Sequence, residues 1–418
     1  MPDVAAGRRV IVIGAGIVGV LCALRLRHDG FSVALIDPAP PGSGASSGNA
    51  GCLSPSSIVP LAGPGVWKAA SRSLLGCDGP LALRLAYLPR AAPFLLRFAR
   101  AGRPKARLRA AAALHALIKG ATERWRTLAA AIGAGDLVRT EGSLVVYRDA
   151  ASWRADAGSR ALRSAFGVRF ETLDGASLQT IDPNLVAGLQ AGLYFPDNGA
   201  VLDPKAFVGV AVAAFVGAGG ELLARRATGF VIDAGRLCAV ETNAGPMACD
   251  AAVLAAGAHS AALARALGHR LPLESERGYH LMLPAGGGPR LPTVDATRKI
   301  VATPMREGVR VSGIVEFAGL AAAPDWRRAS SLAMPAASLF PGLAGAEPKS
   351  RWMGHRPSLP DSLPIIDRAR ASPDAIFAFG HGHLGVTAAP MTAELVAALV
   401  ADRPPAIDLS PYSARRFG

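Results

Sequence analysis

Six residues near the amino terminus have the types and spacing of a turn that binds phosphate groups. The string GAGIVG, residues 14–19, follows an apolar run and opens a segment with helical character, residues 17–28. Gly14 permits a tight turn, Gly16 lets the backbone approach a pyrophosphate, and Gly19 allows close packing of helix on strand. The free N–H groups and the dipole of the helix favour negative charge at this end. We therefore expect a dinucleotide to be held by Gly14, Gly16, Ile17, Val18 and Gly19.

A carboxylate completes this pattern. Asp37 ends a second apolar run, residues 31–36, at about the 20-residue distance where an acidic side chain accepts hydrogen bonds from ribose hydroxyls. The apolar run, the glycine turn, the helix and the second run together predict a β–turn–α–β unit. This unit alone does not distinguish FAD from NAD.

The segment that follows favours FAD. Residues 38–55 are almost all small or turn-forming, whereas a nicotinamide enzyme is expected to continue with a regular βαβ unit. Hydroxyl and amide side chains beside glycines suit a cofactor that lies flat against the backbone. The candidate residues of this loop are Ser46, Ser47, Asn49 and Gly51. A plain flexible loop is the alternative that composition leaves open.

Neither the histidines nor the cysteines indicate a metal. His381 and His383 bracket Gly382, but no carboxylate or cysteine lies at ligand spacing, so we expect no metal and interpret His383 as facing flavin or substrate. The five cysteines are an odd number without a CxxC pair, which argues against a disulfide framework or a zinc site. None follows Cys249, so we expect non-covalent FAD rather than a thioether link near the carboxyl terminus.

The predicted elements that would position these residues alternate between helix and strand. We expect strands at 142–148, 221–224, 230–233, 251–256 and 376–379, two strands within 299–313, a turn at 380–385, and helices at 206–217 and 386–399. No segment reaches the roughly 18 to 20 apolar residues that a membrane span needs. The first residues leave no room for an apolar signal region, so we expect a cytoplasmic location.

Basic residues are concentrated in one region. The formal net charge is +14, and between residues 61 and 130 only Asp78 and Glu123 oppose many lysines and arginines on predicted amphipathic helices. Three interpretations are open: a patch for an anionic membrane surface, a nucleic-acid surface, or solvated helix faces. We weigh the first and the third equally and place nucleic acid below both.

Seven motifs, taken in order, resemble those of the FAD-dependent D-amino acid oxidase family, which includes glycine and sarcosine oxidases and bacterial D-amino acid dehydrogenases. The resemblance covers nearly the whole chain and is closest to D-amino acid and D-hydroxyproline dehydrogenases. The motifs are VIVIGAGIVG, GASSGNAGCLSP, FPDNGAVLDP, VLAAGAHS, ERGYHLMLP, HRPSLPDSLPIIDR and FAFGHGHLGVTAAP.

The resemblance implies an α/β FAD-binding domain, Rossmann-like and of the glutathione-reductase type, with an inserted α+β substrate domain. The FAD-binding domain would comprise residues 9–57, 197–261 and 351–418, and the substrate domain, with the basic helices, residues 58–196 and 262–350. Thr228 would lie near adenine, and Ala256 and Gly257 near the pyrophosphate. Under the flavin ring the resemblance places Gly380, Gly382, His383, Leu384 and Gly385. The following helix would direct its dipole at the flavin C2 carbonyl.

The same resemblance implies oxidation of the Cα–N bond of a small amino acid. The substrate carboxylate needs a cation, best an arginine fork. The family often places this arginine on the strand that here carries residues 303–305, where this chain has none. We therefore expect Arg356, with Tyr279, His280 and His383, to form the catalytic wall. The other candidates are Arg277, Arg306 and Arg310.

The expected function is FAD-dependent dehydrogenation of a small D-amino or D-imino acid, such as D-proline or D-hydroxyproline, by hydride transfer to flavin N5. A quinone or a redox partner would accept the electrons, the enzyme would be cytoplasmic or peripheral on the inner face of the membrane, and a partner subunit is compatible with the family. One alternative is an oxygen-using oxidase of the glycine or sarcosine type. The other is a flavin-containing protein that binds RNA or modifies tRNA.

Overall fold

The computed structural model describes residues 7–63 and 81–418. A first sheet of six strands is assembled from both ends and the middle of the chain, and all but its last pair are parallel. Its strands are nearly continuous apolar runs because helices or strands cover both faces. In order across the sheet they are Glu221–Leu223, Ser32–Ile36, Arg9–Ile13, Ala251–Leu254, Ala375–Phe379 and Ile365–Arg368.

Helices cover one face of this sheet and a small antiparallel sheet covers the other. The helices Ile17–His28, Pro204–Gly217 and Gly385–Val400 bury Val20, Phe207 and Leu395 in one core with the sheet. The opposite core packs under the strands Ala227–Asp233, Arg236–Thr242 and Met247–Ala248 and the helix Ser260–Ala266.

A second sheet of nine strands, mostly antiparallel, lies in the other part of the fold. Its path is Ser350–Ser358, Glu274–Leu283, Gly308–Phe317, Ile300–Met305, Thr293–Asp295, Ser143–Tyr147, Ala191–Phe195 and Glu171–Leu173, while Leu81–Leu83 pairs with Gly308–Phe317. One face packs on the helices Gly175–Ile181, Trp326–Ser330 and Ala333–Leu339. The predicted domain boundary at residue 351 falls inside the first strand of this sheet.

Helices form most of the described part of the basic region, as predicted. They are Leu88–Ala101, Pro104–Ile118 and Ala121–Ala131; the predicted positions between 64 and 80, including Lys68 and Arg72, lie outside the described residues. A three-stranded sheet joins Cys52–Leu53, Gly199–Val201 and Val138–Arg139. The remaining short helices are Ala150–Ala155, Ala157–Ala165, Leu85–Tyr87, Gly135–Leu137, Gly257–His259, Pro341–Leu343, Ser410–Tyr412 and Ala414–Phe417. Within the described ranges, no helix has the length and apolarity to cross a membrane.

Candidate active site

The glycine-rich turn has the geometry that a nucleotide cofactor requires. Gly14 has a φ of +108°, and a Cβ there would lie 2.5 Å from the carbonyl oxygen of Ala255, while a Cβ on Gly19 would lie 1.8 Å from that of Gly14. The fold itself therefore needs glycine at both positions. Gly16 differs, because the nearest atom to an added Cβ, Ser46 Oγ, would be 3.4 Å away. An added methyl group would have room there, so the fold itself does not require glycine and the space beside Gly16 suits the close approach of a bound group.

Polar groups converge on the same turn. Ser46 Oγ accepts a hydrogen bond of 2.9 Å from the backbone N–H of Ile17, in the first turn of the helix. The half-buried Asp37 accepts from the backbone N–H of Ala15 through Oδ2 and from that of Ala39 through Oδ1, each at 2.8 Å. A carboxylate has further lone pairs, so Asp37 can fix the turn and still accept from ribose hydroxyls.

A cavity of about 820 Å³ opens at the carboxyl ends of the parallel strands. This edge of an open α/β sheet is where ligands bind, and the volume lies in the range of small-molecule sites. Most of the predicted cofactor residues line it: Gly14, Gly16, Ile17, Val18, Asp37, Ser46, Asn49, Thr228, Ala256, Gly257, Gly382 and Gly385. These groups fit FAD: backbone amides and a helix amino terminus can donate to the pyrophosphate, a carboxylate can accept from the ribose, and apolar walls can cover the rings.

The other predicted cofactor residues do not line this cavity. Ser47 Oγ donates instead to carbonyl oxygens of its own loop. Leu384 is buried in the core beneath the helix Gly385–Val400. The remaining ones are Gly19, Gly51, Gly380 and His383; the first two fit closely against backbone carbonyls, and Gly380 has a φ of +87°.

A buried arginine fixes the loop that was predicted to lie on the flavin. Arg310 Nη1 donates to the carbonyl oxygens of Ser47, at 3.0 Å, and of Asn49. Asn49 Oδ1 in turn accepts from the backbone N–H of Gly51 at 2.8 Å. Burial lowers the pKa of Arg310 to about 10, still far above neutral pH. Its buried Nε has no hydrogen-bond partner among the described residues.

Arg356 lies on the face of the second sheet, next to the cavity. Its guanidinium crosses Gly278, where an added Cβ would lie 2.4 Å from Arg356 Cζ. Nη1 donates to the carbonyl oxygen of Ile314 at 3.2 Å, and Glu276 lies opposite in the strand register. Burial lowers the pKa of Arg356, and Glu276 opposes that shift. Arg356 does not line the 820 Å³ cavity itself, but the next residue, Pro357, does.

His280 and Trp352 form a stacked pair on the same face. Their ring centroids are 5.2 Å apart, with an interplanar angle of 14°. His280 Nδ1 lies 3.2 Å from the carbonyl oxygen of Gly48, which assigns the proton to Nδ1. Burial, with Arg310 nearby, lowers the pKa of His280 to about 3, so the ring is neutral at neutral pH. Trp352 lines the cavity and packs so closely on Gly48 that a Cβ there would lie 2.2 Å from the indole.

The histidines of the carboxyl-terminal turn are also neutral. His381 is buried, its Nε2 is 3.0 Å from Thr392 Oγ1, and burial lowers its pKa to about 4. His383 is exposed at its surface, but protein atoms pack closely enough around the ring to reduce its hydration. Desolvation, with a smaller contribution from Arg356, therefore lowers its pKa to about 4 as well. Within the described ranges, no three His, Cys, Asp or Glu side chains are grouped to hold a metal.

Several residues predicted for the substrate wall have partners elsewhere. Tyr279 is fully buried in the core of the second sheet, and its hydroxyl donates to Glu316 Oε2 at 2.6 Å. Arg277 is equally buried and lies 3.1 Å from Glu316 Oε2. The exposed Arg306 faces Asp136 at 3.9 Å. Arg310 also has a donor without a partner among the described residues, but it is buried and holds the loop through Nη1. Arg356 is only partly buried and keeps donor capacity beside the cavity, which makes it the best placed of the predicted cations.

The cavity also contains residues that the sequence reasoning missed. His355 Nδ1 is 2.8 Å from Ser275 Oγ on the neighbouring strand, and burial lowers its pKa. The others are Trp352, His259, Arg225 and Arg226. The two arginines follow directly after a strand of the parallel sheet, so their position at its carboxyl edge was a usable signal. Nothing in the sequence revealed that Trp352 and His355 belong to a strand of the second sheet.

The chain is similar to known proteins in both sequence and fold. Residues 9–399 match the family model described as FAD dependent oxidoreductase. The chain is 41% identical to a D-amino-acid oxidase of Bradyrhizobium diazoefficiens, covering 100% of both chains. It is 31% identical to a D-amino acid dehydrogenase of Cereibacter sphaeroides over 98% of this chain and 95% of that one. A glycine oxidase structure from Bacillus cereus superposes with a TM-score of 0.74 at 18% identity, covering 95% and 96% of the two chains.

Proposed function

This chain belongs to the FAD dependent oxidoreductase family, and we propose that it oxidises the Cα–N bond of a small D-amino or D-imino acid. Family membership confirms the expected family, the FAD-binding α/β fold and the FAD cofactor. The observation that carries the substrate class is Arg356, a partly buried cation beside the cofactor cavity that has one hydrogen-bond partner among the residues that the structure describes.

The residues of the cavity would hold FAD by the chemistry described above. Gly14, Gly16 and the first helix would take the pyrophosphate, Asp37 the ribose, and Thr228 would lie near the adenine. Bound FAD supplies a hydride acceptor at flavin N5. The protein then has to position the Cα–H of the substrate and exclude water, so orientation contributes most of its catalytic effect.

Arg356 would bind the substrate carboxylate. A guanidinium can donate two parallel hydrogen bonds to a carboxylate, and one bond to the Ile314 carbonyl leaves that capacity. Glu276, opposite in register, helps to keep Arg356 charged despite burial. His383 would lie close to the bound substrate, because the backbone N–H of the preceding Gly382 donates to the carbonyl oxygen of Pro357, next to Arg356, at 2.8 Å. Its neutral ring can accept a hydrogen bond from an N–H of the substrate nitrogen and so help to orient the Cα–N bond.

The proposed substrates are D-proline, D-hydroxyproline or another small D-amino acid. The names of the two relatives and the resemblance of the ERGYHLMLP and HRPSLPDSLPIIDR motifs support the D configuration. The stacked His280 and Trp352 would close one side of the site and favour a compact side chain. Tyr279 would act at a distance, by positioning the strand through Glu316.

A quinone or a redox partner is the proposed electron acceptor, and an anionic membrane face the proposed location. The name of the Cereibacter sphaeroides relative supports a dehydrogenase. The basic helices support the location, because Leu96 and Leu108 are 63% and 55% exposed beside Arg100, Arg103 and Lys105. Exposed apolar and basic side chains on two consecutive helices suit an anionic lipid headgroup region. A partner subunit is the other candidate occupant of this surface.

An oxygen-using oxidase is the second candidate. It is favoured by the relative with 41% identity over the whole chain, whose name is D-amino-acid oxidase. The two candidates share the substrate and the cofactor and differ only in the acceptor.

Steady-state turnover with defined acceptors tests the proposal. The FAD-loaded protein would be supplied with each D- and L-amino acid and with D-hydroxyproline, in air and under nitrogen with a soluble quinone. We expect oxidised product from one D-substrate with the quinone and much less hydrogen peroxide in air. Fast peroxide formation with the same substrate would favour the oxidase. No product from any amino acid with either acceptor would refute the proposed substrate class.

A further inference from the structure

A second cleft, of about 550 Å³, lies on the other side of the helix Ser260–Ala266 from the cofactor cavity. It opens where that helix and the start of the strand Glu274–Leu283 meet the helix Leu88–Ala101. We call it the arginine cleft, because its lining includes Arg90, Arg97, Arg265 and Arg270.

These four cations are not neutralised by the part of the protein that the structure describes. All four are exposed, and none has a carboxylate within 4.0 Å among residues 7–63 and 81–418; Arg97 donates only to the carbonyl oxygen of Pro93, at 3.4 Å. Glu274 is the one acid in the described lining, and its Oε1 already accepts from Tyr87 Oη at 2.9 Å. Like charges that line one concave surface repel each other and attract anions.

The chemistry of the lining suits phosphate. Guanidinium forks bind phosphate oxygens in pairs, and several forks match a group with several anionic oxygens better than they match one carboxylate. The rest of the wall is apolar, with Pro93, Phe94, Leu271 and Leu273. Such a wall suits a ligand whose phosphate is attached to a less polar body.

We propose that the arginine cleft binds a phosphate-bearing ligand, taken from solution as a phosphate or phosphate ester or presented as a phospholipid headgroup. The site is separate from the cofactor cavity, although one helix borders both. Ala261 and Arg265 line the cleft, whereas Ala262 and Leu263 line the cofactor cavity. Tests therefore need FAD-loaded protein, so that phosphate probes do not enter the pyrophosphate site.

Calorimetric titration of the FAD-loaded protein at low salt tests the proposal. The soluble probes are inorganic pyrophosphate and glycerol 3-phosphate, and the third is phosphatidylcholine vesicles with and without phosphatidylglycerol. The cleft variant is Arg265→Gln/Arg270→Gln, and its control is Arg154→Gln/Arg298→Gln, which removes the same charge from exposed residues outside both cavities. Because all four side chains are exposed, both variants should keep the thermal unfolding midpoint of the parent without a probe.

We expect saturable binding of one probe at one site per chain, weakened about tenfold or more in the cleft variant, which is about 1.4 kcal/mol, and unchanged in the control. Tight binding of pyrophosphate or glycerol 3-phosphate would assign a soluble ligand. Binding only to vesicles with phosphatidylglycerol would assign a headgroup. The proposal is overturned if no probe saturates, or if both double variants weaken binding equally, since that would reflect net charge alone.

Discussion

Replacing Arg356 with glutamine should remove the carboxylate contact while leaving the cofactor site intact. The guanidinium has one carbonyl partner, so about two charge-assisted hydrogen bonds to a substrate carboxylate are lost. Each is worth about 1.5 kcal/mol at the lower end, which suits a partly exposed side chain. The total of about 3 kcal/mol corresponds to a factor of about one hundred in kcat/KM. Burial already raises the pKa of Glu276, so this carboxyl can take up a proton once its cationic neighbour is gone, and the variant should fold.

The assay compares D-proline with pyrrolidine, the same ring without a carboxylate. The parent enzyme should prefer D-proline by about the same factor of one hundred, and Arg356→Gln should lose most of that preference. Gly278→Ala should have a smaller effect of the same kind, because the new Cβ displaces the guanidinium that now crosses Gly278. Arg306→Gln, at an exposed position near Asp136, is the matched control. Equal loss of activity toward both substrates in Arg356→Gln would refute the assignment, because it would indicate general damage to the site.

Three further predictions concern the cofactor site, the stability of the protein in acid, and the helix Gly385–Val400. Gly16→Ala should leave the unfolding midpoint of the FAD-free protein unchanged but weaken FAD binding about tenfold or more, since the added methyl occupies the approach of the pyrophosphate; equal FAD affinity by fluorescence titration would contradict this. Burial keeps the pKa of His381 near 4 in the folded protein, against about 6.5 in the unfolded chain. Between these two pH values the unfolded chain binds more protons, so the free energy of unfolding decreases as the pH is lowered. His381→Gln should therefore lose about 2 kcal/mol less than the parent between pH 7.5 and pH 5 in urea unfolding, and parallel losses would show that the ring is not held neutral. Thr387→Val should lower the free energy of unfolding by about 2 kcal/mol, because Thr387 Oγ1 donates to the Cys52 carbonyl and accepts from the Ser54 N–H; an unchanged urea midpoint would show that these bonds contribute nothing.

The amino-terminal unit was predictable because its signals are local. The apolar runs, the glycines and Asp37 lie within one short segment, and the structure has the helix Ile17–His28 and the strand Ser32–Ile36 almost as predicted. The strands at 251–254 and 375–379 were predicted for the same reason, as apolar runs before glycine turns. Strand 251–254 pairs with strand Arg9–Ile13 and strand 375–379 pairs with strand 251–254. Neither pairing was readable from the residues of the strands themselves, because it depends on contacts between distant segments.

The second sheet was harder to predict. The strand Glu274–Leu283 is buried along its whole length although it contains Glu276, Arg277 and His280. Charged residues in a buried strand hide the apolar pattern by which strands are predicted. They are tolerated here because they have partners: Glu316, for example, neutralises Arg277 and also accepts a hydrogen bond from Tyr279. The same effect concealed the strand Ser350–Ser358 and placed a predicted domain boundary inside it.

The residues of the candidate site also divide into some that the sequence predicts and some that it does not. Cofactor residues on turns were found from glycines and small polar residues, because turn chemistry is local. The substrate wall depends on which side of a strand a residue faces, and a shift of one residue reverses that side. Tyr279 and His280 are neighbours in sequence, yet one lies in the core with Glu316 and the other stacks on Trp352.

Anaerobic reduction of the flavin by paired enantiomers tests whether this protein oxidises a D-amino acid. FAD-loaded protein would be mixed without oxygen with D-proline, with L-proline, and with D-proline deuterated at Cα, while the visible flavin absorbance is followed. We expect bleaching by the D enantiomer, none by the L enantiomer at the same concentration, and slower bleaching by the deuterated substrate. If D-proline has no effect, the other D-amino acids are tested in the same way. Absorbance that no D-amino acid bleaches, or that only L enantiomers bleach, would contradict the proposed D-amino acid oxidation.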